Sequence, residues 1–404
     1  MKRLILLSLS FFMFPICLLY AQEEETDQLK PGRSQFLLRG YAHSGLEIYK
    51  ENASFVGGSF NPIFLWHQSD RLLFEAELEI ELEGGETKIG LEYANMSYIL
   101  SNRVTFRFGL FLLPFGIFSE RLHPRWILRL PSAPLGFLHH NKVGPASGLG
   151  IEVRGVLPLS DAKMNYAFYA INGPVLNNGL DEPEEAGLLH YNNFEDNNKN
   201  KGLGGRIGLL PFSNSALELG GSAQYAKVGD TESEFENIAA SMYAADLSLT
   251  KHIGFLKGVV DIKAQWNWIN VDNANYLANG EHDDEGEEHL DEHEDGLAQE
   301  YTFDNKSQAY FGRISFRPSF VGNSFLRNLE FVGRHSATKL PAGALWGKDE
   351  RRLTIGVNYW LDWRTVLKVA YQFVSDSPHE ENEHGDQHSN GGGNGWLIHW
   401  AFGF

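Results

Sequence analysis

Two kinds of residue cluster in this 404-residue chain could do chemistry. The first mixes histidine with carboxylate. Glu281 to Asp295 holds ten carboxylates with His282, His289 and His293, and no Lys or Arg. Glu380 to His388 adds four carboxylates with His384 and His388, directly after His379. Imidazole suits zinc, copper and nickel, whereas carboxylate suits calcium and magnesium. His289 and His293 are four apart, as are His384 and His388, so each pair would share one face of a helical turn. An H-E-x-x-H zinc signature is absent, because Leu290 follows His289. The reading is loose, exchangeable capture of zinc or calcium, with no cofactor required. The plainer alternative is a solvated acidic loop, or one bridged to lipopolysaccharide by calcium or magnesium.

The second cluster is cationic. Residues 114–147 carry Glu120 against Arg121, Arg125, Arg129 and Lys142, a net of +3, with His123, His139 and His140. Fixed charges at a narrow point between low-dielectric walls focus a field on passing ions. The arginines repeat every four residues, but Pro124 between them argues against a regular helix. The segment also holds Trp126, Ile127 and Leu128 among several prolines, which is too apolar for an ordinary surface loop. It is expected to fold inward and narrow a pore. The alternative is an outer loop that touches a neighbouring subunit or lipopolysaccharide.

These residues need a scaffold, and the scaffold is written in period two. Phe74 to Glu83 alternates apolar residues with carboxylates. That alternation places Glu75, Glu77, Glu79, Glu81 and Glu83 on one face of a strand and the apolar residues on the other. Arg103 to Leu110, Gly312 to Arg317, Arg352 to Tyr359 and Leu367 to Phe373 alternate likewise. The expected strands are 36–49, 56–66, 72–83, 87–99, 104–113, 148–157, 163–172, 202–210, 216–227, 241–251, 257–270, 308–317, 326–335, 352–361, 365–375 and 396–404. Sixteen is an even number, as a closed single-chain barrel requires. Alternate connections are all short, while the others include 114–147, 173–201, 228–240, 271–307, 336–351 and 376–395. Sorting loops by parity is an outer-membrane trait. The fold class expected is therefore all-β: a transmembrane antiparallel barrel with short periplasmic turns and long extracellular loops.

On that scaffold the lumen wall would carry Glu75, Glu77, Glu79 and Glu81 opposite Arg103, Arg107 and Arg154. Arg206, Arg313, Arg317, Arg352 and Lys368 are further inward candidates. An acidic wall facing a basic wall would orient dipolar solutes, or the charges would simply pair and hold the barrel round.

The start of the chain reads as a secretory leader over 1–21. Lys2 and Arg3 precede an apolar run from Leu4 to Leu19, and Tyr20-Ala21 ends it. Residues 22–35 would then be a periplasmic segment and 36–404 the barrel. The one cysteine, Cys17, falls inside the leader, so no disulfide is expected. The net charge is −18, and loss of Lys2 and Arg3 would leave −20, which argues against nucleic-acid binding. Trp396, Ile398, Trp400, Phe402 and Phe404 alternate to the last residue. This resembles the C-terminal aromatic signature read by the barrel assembly machinery.

Gly109-Leu-Phe-Leu-Leu-Pro-Phe-Gly116 resembles the G-x-F-x-x-P-F-G pattern of the porin superfamily that includes the phosphate- and polyphosphate-selective porins. Gly148-Leu-Gly-Ile-Glu-Val-Arg-Gly155 looks like that family's return strand. The resemblance implies a sixteen-strand barrel, often a homotrimer, with the third outer loop folded inward. Those channels are rich in lumen lysine and arginine, and this acidic chain departs from that.

The expected function is a passive diffusion porin for small hydrophilic solutes or ions, set in outer-membrane lipid and lipopolysaccharide. The metal-attracting loops would lie above its mouth. The alternative is a non-conducting surface barrel that acts as an adhesin or a metal-binding structural protein. No plug domain precedes residue 36 to suit an energised receptor, and no local motif picks out a catalytic nucleophile, so an enzyme is not expected.

Overall fold

The computed structural model describes residues 35–50, 52–83, 85–137, 143–191, 194–278, 299–376 and 393–404. Sixteen strands run β1 (Gln35–Tyr49), β2 (Ala53–Ser69), β3 (Leu72–Glu83), β4 (Glu86–Ser101), β5 (Val104–Leu112), β6 (Ser147–Leu159), β7 (Ala162–Asn172), β10 (Lys201–Leu210), β11 (Leu217–Lys227), β12 (Ala239–Ile253), β13 (Gly258–Val271), β16 (Lys306–Arg317), β17 (Leu329–Lys339), β18 (Glu350–Trp360), β19 (Thr365–Asp376) and β20 (Gly395–Gly403). Each pairs antiparallel with the next, and β1 pairs with β20 from Tyr41↔Gly403 to Tyr49↔Gly395, which closes the barrel. In the outer connections between these strands, β8 (Val175–Leu176) pairs β9 (Leu189–His190) and β14 (Tyr276–Ala278) pairs β15 (Gln299–Tyr301).

Period two sorts the side chains. On β18 to β20, Leu353, Ile355, Val357, Leu367, Val369, Phe373, Trp396, Ile398 and Trp400 are exposed on the outer face. The residues between them, Arg352, Thr354, Asn358, Lys368, Gln372 and His399, are buried inside. A closed sheet with an apolar outer face and a polar interior is the architecture of the bacterial outer membrane, and that is where this chain resides. Among the described residues no helix is long and apolar enough to cross a membrane.

All sixteen expected strands are present, with ends displaced by a few residues. β1 starts at Gln35, inside the segment expected to precede the barrel. The strand expected at 326 starts at Leu329, because Asn323 accepts a side-chain bond from the Leu326 amide and caps a helical turn, α2 (Ser324–Arg327). The short strand pairs of the outer connections were not expected. Two or three residues carry no readable period. The leader expected over 1–21, and 22–34 after it, lie outside the described residues.

An arginine at the middle of the lipid face should cost about 2–4 kcal/mol, and one near the interface about 0–1 kcal/mol. Ile355→Arg, at the centre of β18, should therefore destabilise the barrel strongly, and Leu361→Arg, beyond its periplasmic end, hardly at all. Denaturant unfolding in lipid vesicles measures both, and equal losses would contradict the assigned membrane face.

Candidate constriction and lumen site

The segment between β5 and β6 lies inside the barrel. It leaves the wall at the Gly109–Gly116 motif, and both glycines are needed for their backbone. Gly109 has φ +113°, and a Cβ there would lie 2.5 Å from the Ala94 carbonyl oxygen. Gly116 has φ +68°, and a Cβ would strike the Gln265 side chain. Gln265 needs that closeness, because its Oε1 accepts from the amides of Ile117 (2.8 Å) and Phe118 (2.9 Å). One helical turn follows, α1 (Phe118–Arg121), and ends before Pro124.

The segment then touches most of the wall. Toward β16 the contact is apolar: Phe115, Ile117, Phe118 and Phe137 are buried with Phe311. The ring centroids of Phe118, Phe137 and Phe311 lie 5.0–5.9 Å apart. Elsewhere wall side chains bond the segment's backbone. Asn267 donates to the Val143 carbonyl (2.7 Å), Arg334 to Ser132 (2.6 Å), Asn358 to Arg129 (2.8 Å), and Lys368 to Arg125 and Leu128. Above it, Trp346 donates to the Ala186 carbonyl (2.9 Å) and Asn305 to Gly187 (2.7 Å), so the outer connections close together over part of the lumen.

Glu120 bridges to Arg154 and lies 3.4 Å from Arg107. Burial alone would raise the Glu120 carboxyl, but Arg154, Arg107 and Arg121 hold it below the ordinary value. Arg121 pairs with Glu218 (2.8 Å) and Arg129 with Glu330 (3.3 Å). The Arg125 guanidinium approaches the Pro131 carbonyl at 3.5 Å. Arg107 also pairs with Glu152 (2.9 Å). Arg103 is exposed in the β4–β5 turn and, with Arg121, Arg154 and Arg206, lines a cavity of about 430 Å³ below the segment.

Glu77 on β3, two strands from Arg107 on the same side of the barrel, is buried and accepts from Tyr41 (2.8 Å), while Glu75, Glu79 and Glu81 are half-buried. The acidic and basic residues therefore sit side by side and do not face one another across the lumen. His123 faces Glu77, its Nε2 3.9 Å from the carboxylate and its Nδ1 bonded to the Ser119 carbonyl. Lys142, His139 and His140 lie outside the described residues, as do the expected metal ligands His282, His289, His293, His384 and His388. Among the described residues, Glu182, Glu185 and His190 form an exposed group of ligand type.

Sequence reasoning named the arginines but missed most of their partners. Arg206 pairs with Asp246 (2.6 Å) and Glu218 (2.9 Å), and Arg313 with Asp261 (2.7 Å). The available signal was a single carboxylate at an inward position between apolar neighbours, as in Leu217-Glu218-Leu219 and Leu329-Glu330-Phe331.

No family model matches this chain, and no curated protein is similar to it in sequence. Solved structures share its fold. The outer membrane channel DcaP of Acinetobacter baumannii aligns with a TM-score of 0.51 at 10% identity, covering 92% of this chain and 97% of that one. OmpF of Salmonella typhi aligns with a TM-score of 0.50 at 10% identity over the same shares. The barrel is thus similar in fold to outer-membrane porins and channels.

Two predictions follow from these contacts. Gln265→Ala removes the acceptor of two buried amides and should destabilise the segment by about 1–3 kcal/mol. Hydrogen exchange at Ile117 and Phe118 reads it directly, and unchanged protection would contradict the anchoring role. His123 carries the pH dependence. Burial would lower its pKa, but Glu77, with Glu92 and the Ser119 carbonyl, raises it above the ordinary 6.5. A raised folded value means the contact is complete below pH 6.5 and is lost as pH rises through the raised value. Protection at 119–125, corrected for the intrinsic rise of amide exchange with pH, should therefore fall on alkalinisation, and His123→Gln should flatten that response.

Proposed function

We propose that this chain is a passive diffusion porin whose constriction is the segment 114–147, with Arg121, Arg125, Arg129 and Glu120 facing the solute path. The observation that carries this reading is how the segment is held. A chain piece with this many backbone polar groups crosses the lumen and is tied to the wall by Gln265, Asn267, Arg334, Asn358 and Lys368. Such anchoring suits a rigid selectivity element in a wet lumen. Below it lies a cavity with four arginines on its lining, all but Arg103 paired with carboxylates. Paired charges of both signs favour mixed or weakly anion-leaning selectivity over the cation preference that net charge alone suggests.

The resemblance at 109–116 supports placement near the phosphate-selective porins, but the neutralised arginines speak against a dedicated phosphate channel. A homotrimer, contact with lipopolysaccharide and handling by the barrel assembly machinery complete the proposal. Divalent-metal capture by the two histidine-rich outer loops rests on their sequence alone.

A second reading has its own support. The apolar cluster around Phe118, Phe137 and Phe311 seals part of the lumen, which favours a non-conducting surface barrel. Single-channel recording in planar bilayers separates the two. The porin reading predicts a steady open conductance, a reversal potential near zero or anion-leaning, and a larger conductance in Gln265→Ala. Zinc-dependent closure that vanishes when 281–295 and 380–388 are deleted would support the metal role. Insertion without conductance would overturn the porin.

A further inference from the structure

The periplasmic end of the lumen holds a second cavity, of about 410 Å³, away from the Arg103–Arg206 side. Its lining includes Trp126 and Arg129 of the constriction segment, Arg317 at the end of β16, Trp360 at the end of β18, and Asp362 and Trp363 in the turn to β19. Such a volume lies within the range of small-molecule sites.

The charges around it do not cancel. Arg129 and Arg317 sit 4.9 and 5.3 Å from the Trp360 ring centroid, Arg364 sits 3.9 Å from that of Trp363, and the Arg327 carbonyl accepts from Arg317. Three guanidinium groups, Arg129, Arg317 and Arg364, thus meet two carboxylates, Glu330 and Asp362. Glu330 is used up: one oxygen faces Arg129, and the other accepts from Asn358 (3.2 Å) and Trp360 (2.9 Å). Asp362 accepts from the Trp363 amide at 2.6 Å. Among the described residues, Arg317 has no carboxylate within ion-pair distance. Its guanidinium keeps donors for a planar anion, and on the same lining the exposed Trp363 ring, with Arg364 over it, offers flat apolar surface.

We propose that this cavity binds a small organic anion that joins a carboxylate to an aromatic ring, with the carboxylate at Arg317 and the ring against Trp363. The proposal deepens the channel reading by naming a solute class. It rests on that reading only for transport, since binding itself needs no open pore.

Isothermal titration calorimetry on the whole barrel in detergent tests it with benzoate, benzamide and acetate. Benzoate should bind, and benzamide, which lacks the charge, and acetate, which lacks the ring, should each bind at least ~10-fold more weakly, a difference of about 1.4 kcal/mol. Arg317→Gln should weaken benzoate by a similar factor. Trp363→Ala lies in an exposed turn and should fold; it should weaken benzoate while leaving acetate unchanged. No benzoate binding, equal binding of benzoate and benzamide, or full binding by both variants would overturn the proposal. Conductance recorded on the same preparation keeps that failure distinct from failure of the porin.

Discussion

Inside hydrocarbon every backbone N–H and C=O must find a partner within the protein, and that requirement organises this molecule. A sheet meets it only by closing, and β1 closes onto β20. Closure leaves two radial directions for side chains, and alternation assigns them strictly. Each outward position must suit lipid, as Leu353, Ile355 and Val357 do. Each inward position is free to be polar, and Arg352, Thr354 and Asn358 use that freedom. The lumen chemistry is a consequence of backbone satisfaction.

The same accounting applies a second time inside the barrel. Among its described residues the inward segment has little regular structure beyond α1, so many of its amides and carbonyls lack internal partners. Buried away from bulk water, each unmet group would cost about 1–3 kcal/mol. The wall supplies the partners. Gln265 accepts from two amides, and Asn267, Asn358, Lys368 and Arg334 donate to carbonyls. These wall residues come from four strands distant in sequence. The segment's path and the wall's polar pattern therefore specify one another, and a change on either side leaves a buried group unmet on the other.

That reciprocity explains what could be read from the sequence. Strand number and facing were legible because period two is local: Phe74 to Glu83 declares its two faces without reference to any other strand. The Gly109–Gly116 motif was legible because both glycines answer to their own backbone geometry. The ties of the segment were not. Nothing near Gln265 distinguishes it from any inward polar residue until Ile117 and Phe118 arrive from about 150 residues away in the chain. The acids were half legible. The glutamates of β3 announced themselves by repetition, whereas Asp246, Glu218 and Glu330 are single residues whose meaning depends on an arginine of another strand or of the inward segment.

The distribution of contact types around the segment bears on how a solute could pass. Toward β16 the segment meets the wall through close-packed rings around Phe311, and a hydrated ion entering there would lose its water without replacement. Toward β3, β5 and β6 it meets the wall through Glu120, Arg154, Arg107, His123 and Glu77, and these groups can substitute for water around either sign of charge. A path for hydrated solutes must follow the polar seam, however wide the barrel is. In the proposed porin, selectivity would then be set by a few ion pairs along one side of a single inward segment and not by barrel diameter. Because those pairs are themselves nearly neutral, a permeant ion competes with the partner that each charge already has, which favours weak, exchangeable contact over tight capture.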